Sequence, residues 1–184
     1  MTGRAGVFLD RDGTIIEDTG FVRDPDAVRL VPGAAEAIRQ LNQSGSPIII
    51  VTNQSGIARG LLTEADYHAV AARLETLLTA AGARIDATYF CPHYPAISGP
   101  CDCRKPGPQH YLAAAERFGL DLSQSVWIGD RLTDLLGAQP FGGWGILVET
   151  GEGGHSAREA AARGFAVVAD LAATVDLILR PPAA

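Results

Sequence analysis

Residues 47–51 read Pro-Ile-Ile-Ile-Val, and four β-branched side chains in succession, with no polar residue between them, leave little choice of fold. A strand with one face in water alternates apolar and polar residues. An unbroken run is covered on both faces, which is the mark of a parallel sheet between layers of helices. Val7-Phe8-Leu9 is a second such run, too short for a helix and too apolar for a solvated edge. A third, Ser125-Val126-Trp127-Ile128, ends in Gly129-Asp130, and short strands are expected at 87–90, 145–148 and 166–168. Between these runs the apolar period changes. Ala34, Ala37, Ile38 and Leu41 recur at helical spacing from Pro32-Gly33 to Ser44-Gly45, and Tyr67, Val70, Leu74, Leu77 and Leu78 form a stripe behind a Thr63/Asp66 N-cap. Further helices are expected over 108–118, 132–139, a short stretch capped by Ser156 with Glu159, and 171–179. This alternation predicts an α/β fold with a mainly parallel sheet and helices on both faces. No repeat or linker divides the chain, so one domain over 1–184 is expected, with only the Pro/Ala tail, 180–184, frayed.

Open α/β sheets bind ligands at the carboxyl ends of their strands. There this chain places Asp10 and Asp12 with Gly13, then Thr52-Asn53-Gln54-Ser55, then Asp130, followed by Asp134. Two acids as close as Asp10 and Asp12 repel, and a cation that prefers carboxylate and carbonyl oxygens, Mg²⁺, would neutralise them. An EF-hand is excluded, because its glycine stands sixth and its twelfth residue is Glu, whereas here glycine is fourth and the twelfth residue is Phe21. A plain Asp-Gly hairpin between apolar strands stays open as the alternative.

The only three cysteines, Cys91, Cys101 and Cys103, fall within 91–103 together with His93. An odd, clustered set argues for metal over disulfides, and three thiolates with one imidazole suit a closed tetrahedral Zn²⁺ site. Reduced cysteines around a turn are the alternative. Arg104-Lys105 follows directly, where a metal would hold the loop still. The net charge of −6 and the absence of a Lys/Arg run argue against nucleic-acid partners. No uncharged apolar stretch reaches the roughly 18 residues of a membrane span, so a cytoplasmic protein is expected, with a small anionic substrate drawn by local charge.

LDRDGT (residues 9–14), with the motifs at Thr52, Lys105 and Asp130, resembles in order the four motifs of the haloacid dehalogenase superfamily of aspartate-nucleophile phosphatases. VTNQSGIARG (51–60), CPH (91–93) and CDCRKP (101–106) are similar to one branch of it, the D-glycero-D-manno-heptose 1,7-bisphosphate 7-phosphatases with the related histidinol-phosphate phosphatases. The resemblance covers roughly residues 6–151 and implies a three-layer Rossmann-like fold. Thr14 to Pro47 and Gly60 to Cys91 hold little beyond one helix each, so no large cap domain is expected. By the same resemblance Asp10 is the nucleophile and Asp12 the general acid/base, while Thr52 and Lys105 stabilise the transferring phosphoryl group. Mg²⁺ is held by Asp10, the main-chain carbonyl of Asp12, and Asp130. Zn²⁺ is held by Cys91, His93, Cys101 and Cys103. Substrate contacts fall on Asp18, Thr19, Gly20, Phe21, Thr52, Asn53, Gln54, Ser55, Arg104, Lys105 and Arg131. Arg131 stands where lysine is commoner in that branch, Phe21 where tyrosine is, and the loop between the zinc-ligand pairs is short. The expected substrate is a small phosphomonoester of the sugar-bisphosphate kind, acted on by a monomer.

Overall fold

The computed structural model describes residues 3–179, so the tail expected to fray lies outside the described residues. Six strands form one parallel sheet: β1 (Val7–Leu9), β2 (Ile48–Asn53), β3 (Ala87–Cys91), β4 (Val126–Gly129), β5 (Trp144–Val148) and β6 (Ala166–Val168). Their order is β3-β2-β1-β4-β5-β6, that of a doubly wound Rossmann-like sheet. The chain order reverses between β1 and β4, which opens a crevice at their carboxyl ends. Val7 is in register with Ile48 of β2 and with Val126 of β4, so β1 is hydrogen-bonded on both edges and buried throughout.

Among the described residues seven helices complete the layers: α1 (Ala34–Gln43), α2 (Glu64–Ala80), α3 (Pro95–Ser98), α4 (Gln109–Phe118), α5 (Leu132–Leu136), α6 (Gly153–Ala162) and α7 (Leu171–Leu179). Alternate strand residues face opposite layers. Val7, Leu9, Ile48 and Ile50 pack with Ile38 and Leu41 of α1, Val70 and Leu74 of α2 and Val175 of α7. Phe8, Ile49 and Trp127 meet Tyr111 and Ala114 of α4 on the other face, where Leu147 of β5 meets Leu135 of α5 and Ala160 of α6. Phe8 stacks on Trp127 at 4.8 Å between ring centroids. This is the three-layer α/β fold expected. Between β1 and α1 stands a 3-10 turn, Pro25–Ala27, and between β2 and β3 stands α2, with no second sheet among the described residues. No helix among them is long and apolar enough to cross a membrane.

Two helix boundaries differ from the sequence reading by more than one residue. The helix expected over 132–139 ends at Leu136, and Pro140 sits in a separate 3-10 turn, Gln139–Phe141. The helix expected to start at Ser156 begins at Gly153 with no side-chain cap, which places Ser156 inside it. Its start is fixed from outside: the Glu152 amide just before it donates to the Asp130 carboxylate at 2.8 Å.

Candidate active site

Asp10 leaves β1 with its amide donating to the Ile128 carbonyl of β4 at 2.9 Å. Its Oδ1 accepts from Lys105 Nζ at 2.6 Å, and Lys105 also donates to the Val51 carbonyl at 2.8 Å and pairs with Asp134 at 2.7 Å. The three side chains are between 4% and 9% exposed, so the ion pairs are removed from water. Burial works against the Lys105 charge, but Asp10 and Asp134 outweigh it and hold its pKa above the usual lysine value. Burial pushes the Asp10 carboxyl up to about 8, with Lys105 opposing and Asp134, Asp12 and Asp130 adding to the rise. Burial likewise raises Asp130 to about 6. Three buried carboxylates against one ammonium leave negative charge unbalanced, and such groups take protons unless a cation is supplied.

The donor set fits a divalent cation. Asp10, Asp130 and Asp134 bring one oxygen each to within 4.8 Å of one another, and Asp130 Oδ1 is buried with no hydrogen-bond partner. Asp130 Oδ2 accepts from the Glu152 amide, while Asp134 uses its oxygens on Lys105 and on the Arg131 amide. Asp134 thus anchors Lys105. Gly13 and Gly151, both at positive φ, close against Asp130 so tightly that a Cβ at either would strike its carboxylate.

Asp12 stands beside this cluster and faces different partners. Gln54 Nε2 donates to its Oδ2 at 2.8 Å and also to Thr52 Oγ1 at 2.9 Å. Arg11, 2% exposed, reaches Asp12 with Nε at 3.1 Å and a terminal nitrogen at 2.8 Å. Thr52 is 1% exposed, with Oγ1 3.5 Å from Asp12.

A cavity of about 780 Å³ opens over these groups, lined by Asp10, Asp12, Thr52 and Lys105 and, around its mouth, by Asp18, Gly20, Phe21, Asn53, Gln54, Ser55, Arg104 and Arg131. Thr19, expected among the substrate contacts, stands off that lining. Several of these side chains also tie loops together. Asn53 Oδ1 accepts from the Lys105 amide at 3.0 Å, Asp18 pairs with Arg131 at 3.1 Å, and Arg104 donates to the His93 carbonyl at 3.3 Å. Arg59, Glu152 and His155 line the cavity too and were not singled out from the sequence. Arg59 lies within the 51–60 motif, after a strand end already marked as polar, which was the available signal.

The second ligand cluster lies between β3 and α4. Cys103 Sγ is 3.0 Å from Cys91 Sγ, 3.5 Å from Cys101 Sγ and 3.2 Å from His93 Nδ1, while Cys91 lies 3.7 Å from Cys101 and 3.8 Å from His93. All three thiols are free. Metal–ligand bonds of about 2.0–2.3 Å give tetrahedral edges of roughly 3.5–3.8 Å, so the four groups lie near the corners a zinc ion needs. Cys103 leads directly into Arg104 and Lys105.

The segment 7–87 matches the family model of the haloacid dehalogenase-like hydrolases, and 102–174 matches that of HAD-hydrolase-like proteins. The chain is 38% identical over 162 residues to a D-glycero-beta-D-manno-heptose-1,7-bisphosphate 7-phosphatase of Yersinia pestis, covering 85% of this chain and 86% of that protein. It is 39% identical over 187 residues to a D-glycero-D-manno-heptose-1,7-bisphosphate 7-phosphatase of Thermosynechococcus vestitus, covering 95% of both. The crystal structure of a D,D-heptose 1,7-bisphosphate phosphatase from B. bronchiseptica, complexed with magnesium and phosphate, superposes with a TM-score of 0.85 at 37% identity, covering 96% of this chain and 98% of that one.

Proposed function

The chain belongs to the D-glycero-D-manno-heptose 1,7-bisphosphate 7-phosphatase family of haloacid dehalogenase-like hydrolases, and from that premise we propose that it removes the 7-phosphate of this bisphosphate with Mg²⁺. The observation that carries the mechanism is the buried Asp10–Lys105–Asp134 chain at the floor of an open cavity. A carboxylate attacks a phosphate dianion only where charge is offset, and Lys105 brings a fixed positive charge to that point.

Asp10 attacks phosphorus in line; the P–O bond to C7 breaks as the Asp10–phosphorus bond forms. Asp12 delivers a proton to the departing alkoxide, then takes one from the water that hydrolyses the aspartyl-phosphate, releasing inorganic phosphate and restoring Asp10. Gln54 and Arg11 hold Asp12 for this work, and Thr52 adds a hydroxyl beside the phosphoryl oxygens. A divalent cation held by the Asp10 and Asp130 carboxylates and the Asp12 main-chain carbonyl would supply Lewis-acid charge to the phosphoryl group. The orphaned Asp130 Oδ1 supports that assignment.

Cys91, His93, Cys101 and Cys103 would hold a structural Zn²⁺, since four protein ligands leave no position for water. Free thiols serving as ligands suit a reducing compartment, so we place the enzyme in the cytoplasm. Every group used comes from this one chain, so we propose a single domain acting as a monomer. Turnover of purified protein on the heptose bisphosphate and on histidinol phosphate, with Mg²⁺, tests the reading. Higher kcat/KM on histidinol phosphate would overturn the substrate assignment while leaving the chemistry intact.

A further inference from the structure

Four cations line the cavity, and three of them are engaged. Lys105 is held by Asp10 and Asp134, Arg131 by Asp18, and Arg104 donates to the His93 carbonyl. Arg59 differs. Among the described residues no carboxylate pairs with it, and its guanidinium lies between two rings, 5.1 Å from the centroid of Phe21 and 5.3 Å from that of Tyr94. An aromatic face orients a guanidinium without neutralising it or occupying its N–H groups, so the fork stays available for an anion.

The clamp draws on three loops, joined by one backbone hydrogen bond and one ring contact. The Arg59 amide donates to the Ser55 carbonyl at 3.2 Å, and its neighbour Ala58 donates to the Pro92 carbonyl at 3.2 Å, which fastens the turn to the segment bearing Tyr94. On the other side Phe21 rests against Gly56, where any Cβ would strike the ring. Arg59 is therefore held at the rim, away from the acid cluster on the floor that pairs with Lys105.

A sugar bisphosphate brings two phosphate groups. One is consumed at Asp10 and Lys105, and the other needs a cation whose N–H fork is held neither by a carboxylate nor by a main-chain carbonyl. Resting on the reading of the site as a sugar-bisphosphate phosphatase, we propose that Arg59 binds the phosphate that is not transferred and so selects bisphosphate over monophosphate.

The test compares the heptose 1,7-bisphosphate with the corresponding 7-monophosphate, using wild type, Arg59→Ala and Arg59→Lys. Loss of a charge-assisted phosphate contact should raise KM for the bisphosphate roughly 10- to 100-fold, leave its kcat nearly unchanged and leave the monophosphate unaffected. Arg59→Lys should recover part of the loss. The same comparison is made by calorimetry in the inactive Asp10→Asn chain, where the ratio of affinities for the two ligands is read with and without Arg59→Ala. This arm judges Arg59 whatever wild-type turnover shows. Failure of wild type to hydrolyse the bisphosphate defeats the substrate assignment, whereas an affinity ratio unchanged by Arg59→Ala, or an equal loss on both ligands, overturns the role given to Arg59.

Discussion

The carboxylate cluster and the cysteine cluster lie at the same end of the sheet and are held by opposite means. Asp10 and Asp130 extend strands that are buried and hydrogen-bonded to neighbours, and Asp134 lies in the first turn of α5, so main chain fixes them without an ion. The loop from Cys91 to Cys103 has no comparable frame. None of residues 92–100 is buried, and their only regular element is the four-residue α3. A segment with so little apolar surface to cover has little but its ligands to hold it. The floor of the site should thus keep its shape without metal and depend on charge, while the loop should depend on its ion for shape.

The largest expected effect lies on the floor. Asp10→Asn should cost on the order of 10⁴-fold or more in turnover, yet leave the fold intact, because Lys105 keeps Asp134 and the Val51 carbonyl as partners. Asp12→Asn should lose ~10²–10⁴-fold through the missing proton transfer. Rates and melting temperatures check both; an active Asp10→Asn protein would break the comparison at its first half.

On the loop side, Cys101→Ala should lose zinc, by atomic emission, and lower the melting temperature by about 5 °C or more, given the few degrees per kcal/mol expected at this size. Its activity should fall further on the sugar bisphosphate, whose proposed contacts include Arg104 and the Tyr94 side of the Arg59 clamp, than on a small aryl phosphate, which needs mainly the floor. Equal loss on both substrates would show that the floor leans on the zinc loop, through the Asn53–Lys105 hydrogen bond, more than its burial suggests.

The smallest effect sharpens the charge argument. Without Mg²⁺, burial holds Asp10 and Asp130 protonated up to about 8 and about 6, against an ordinary 3.8. The folded chain then keeps protons that the unfolded chain has released. This contribution to stability is full below pH 3.8 and is lost as pH climbs through about 6 and about 8. Melting temperatures from pH 4.5 to 8.5 should decline without Mg²⁺ and stay level with it, since the cation replaces the protons. A level profile without Mg²⁺ would mean that Lys105 alone balances the cluster.

What the sequence made legible follows the same division. β1 and β2 could be read because burial on both faces leaves an unbroken apolar run, and the polar residues after them had to land on the carboxyl edge. The cluster of Cys91, His93, Cys101 and Cys103 could be read because its members sit within thirteen residues. Lys105 with Asp134 could not, since that pair joins α5 to a loop 29 residues earlier, and neither residue's neighbours signal it. Arg59 was hidden for a similar reason: its meaning comes from Phe21 and Tyr94, on two other loops. The start of α6 was misplaced because no side chain caps it locally and the Glu152 amide before it donates to the distant Asp130.

The position of β1 also bears on how the chain reaches this state. β1, the first strand of the six in chain order, is the middle of the finished sheet, yet its two neighbours, entered at Ile48 and Val126, come later. Parallel pairing across such separations makes folding slow and leaves unpaired edges exposed in the meantime. Until β4 docks, Asp10 has neither the Ile128 carbonyl nor Asp130 beside it. Assembly of the candidate site therefore waits for β4, and a nascent chain stalled before Val126 should hold Asp10 without turnover.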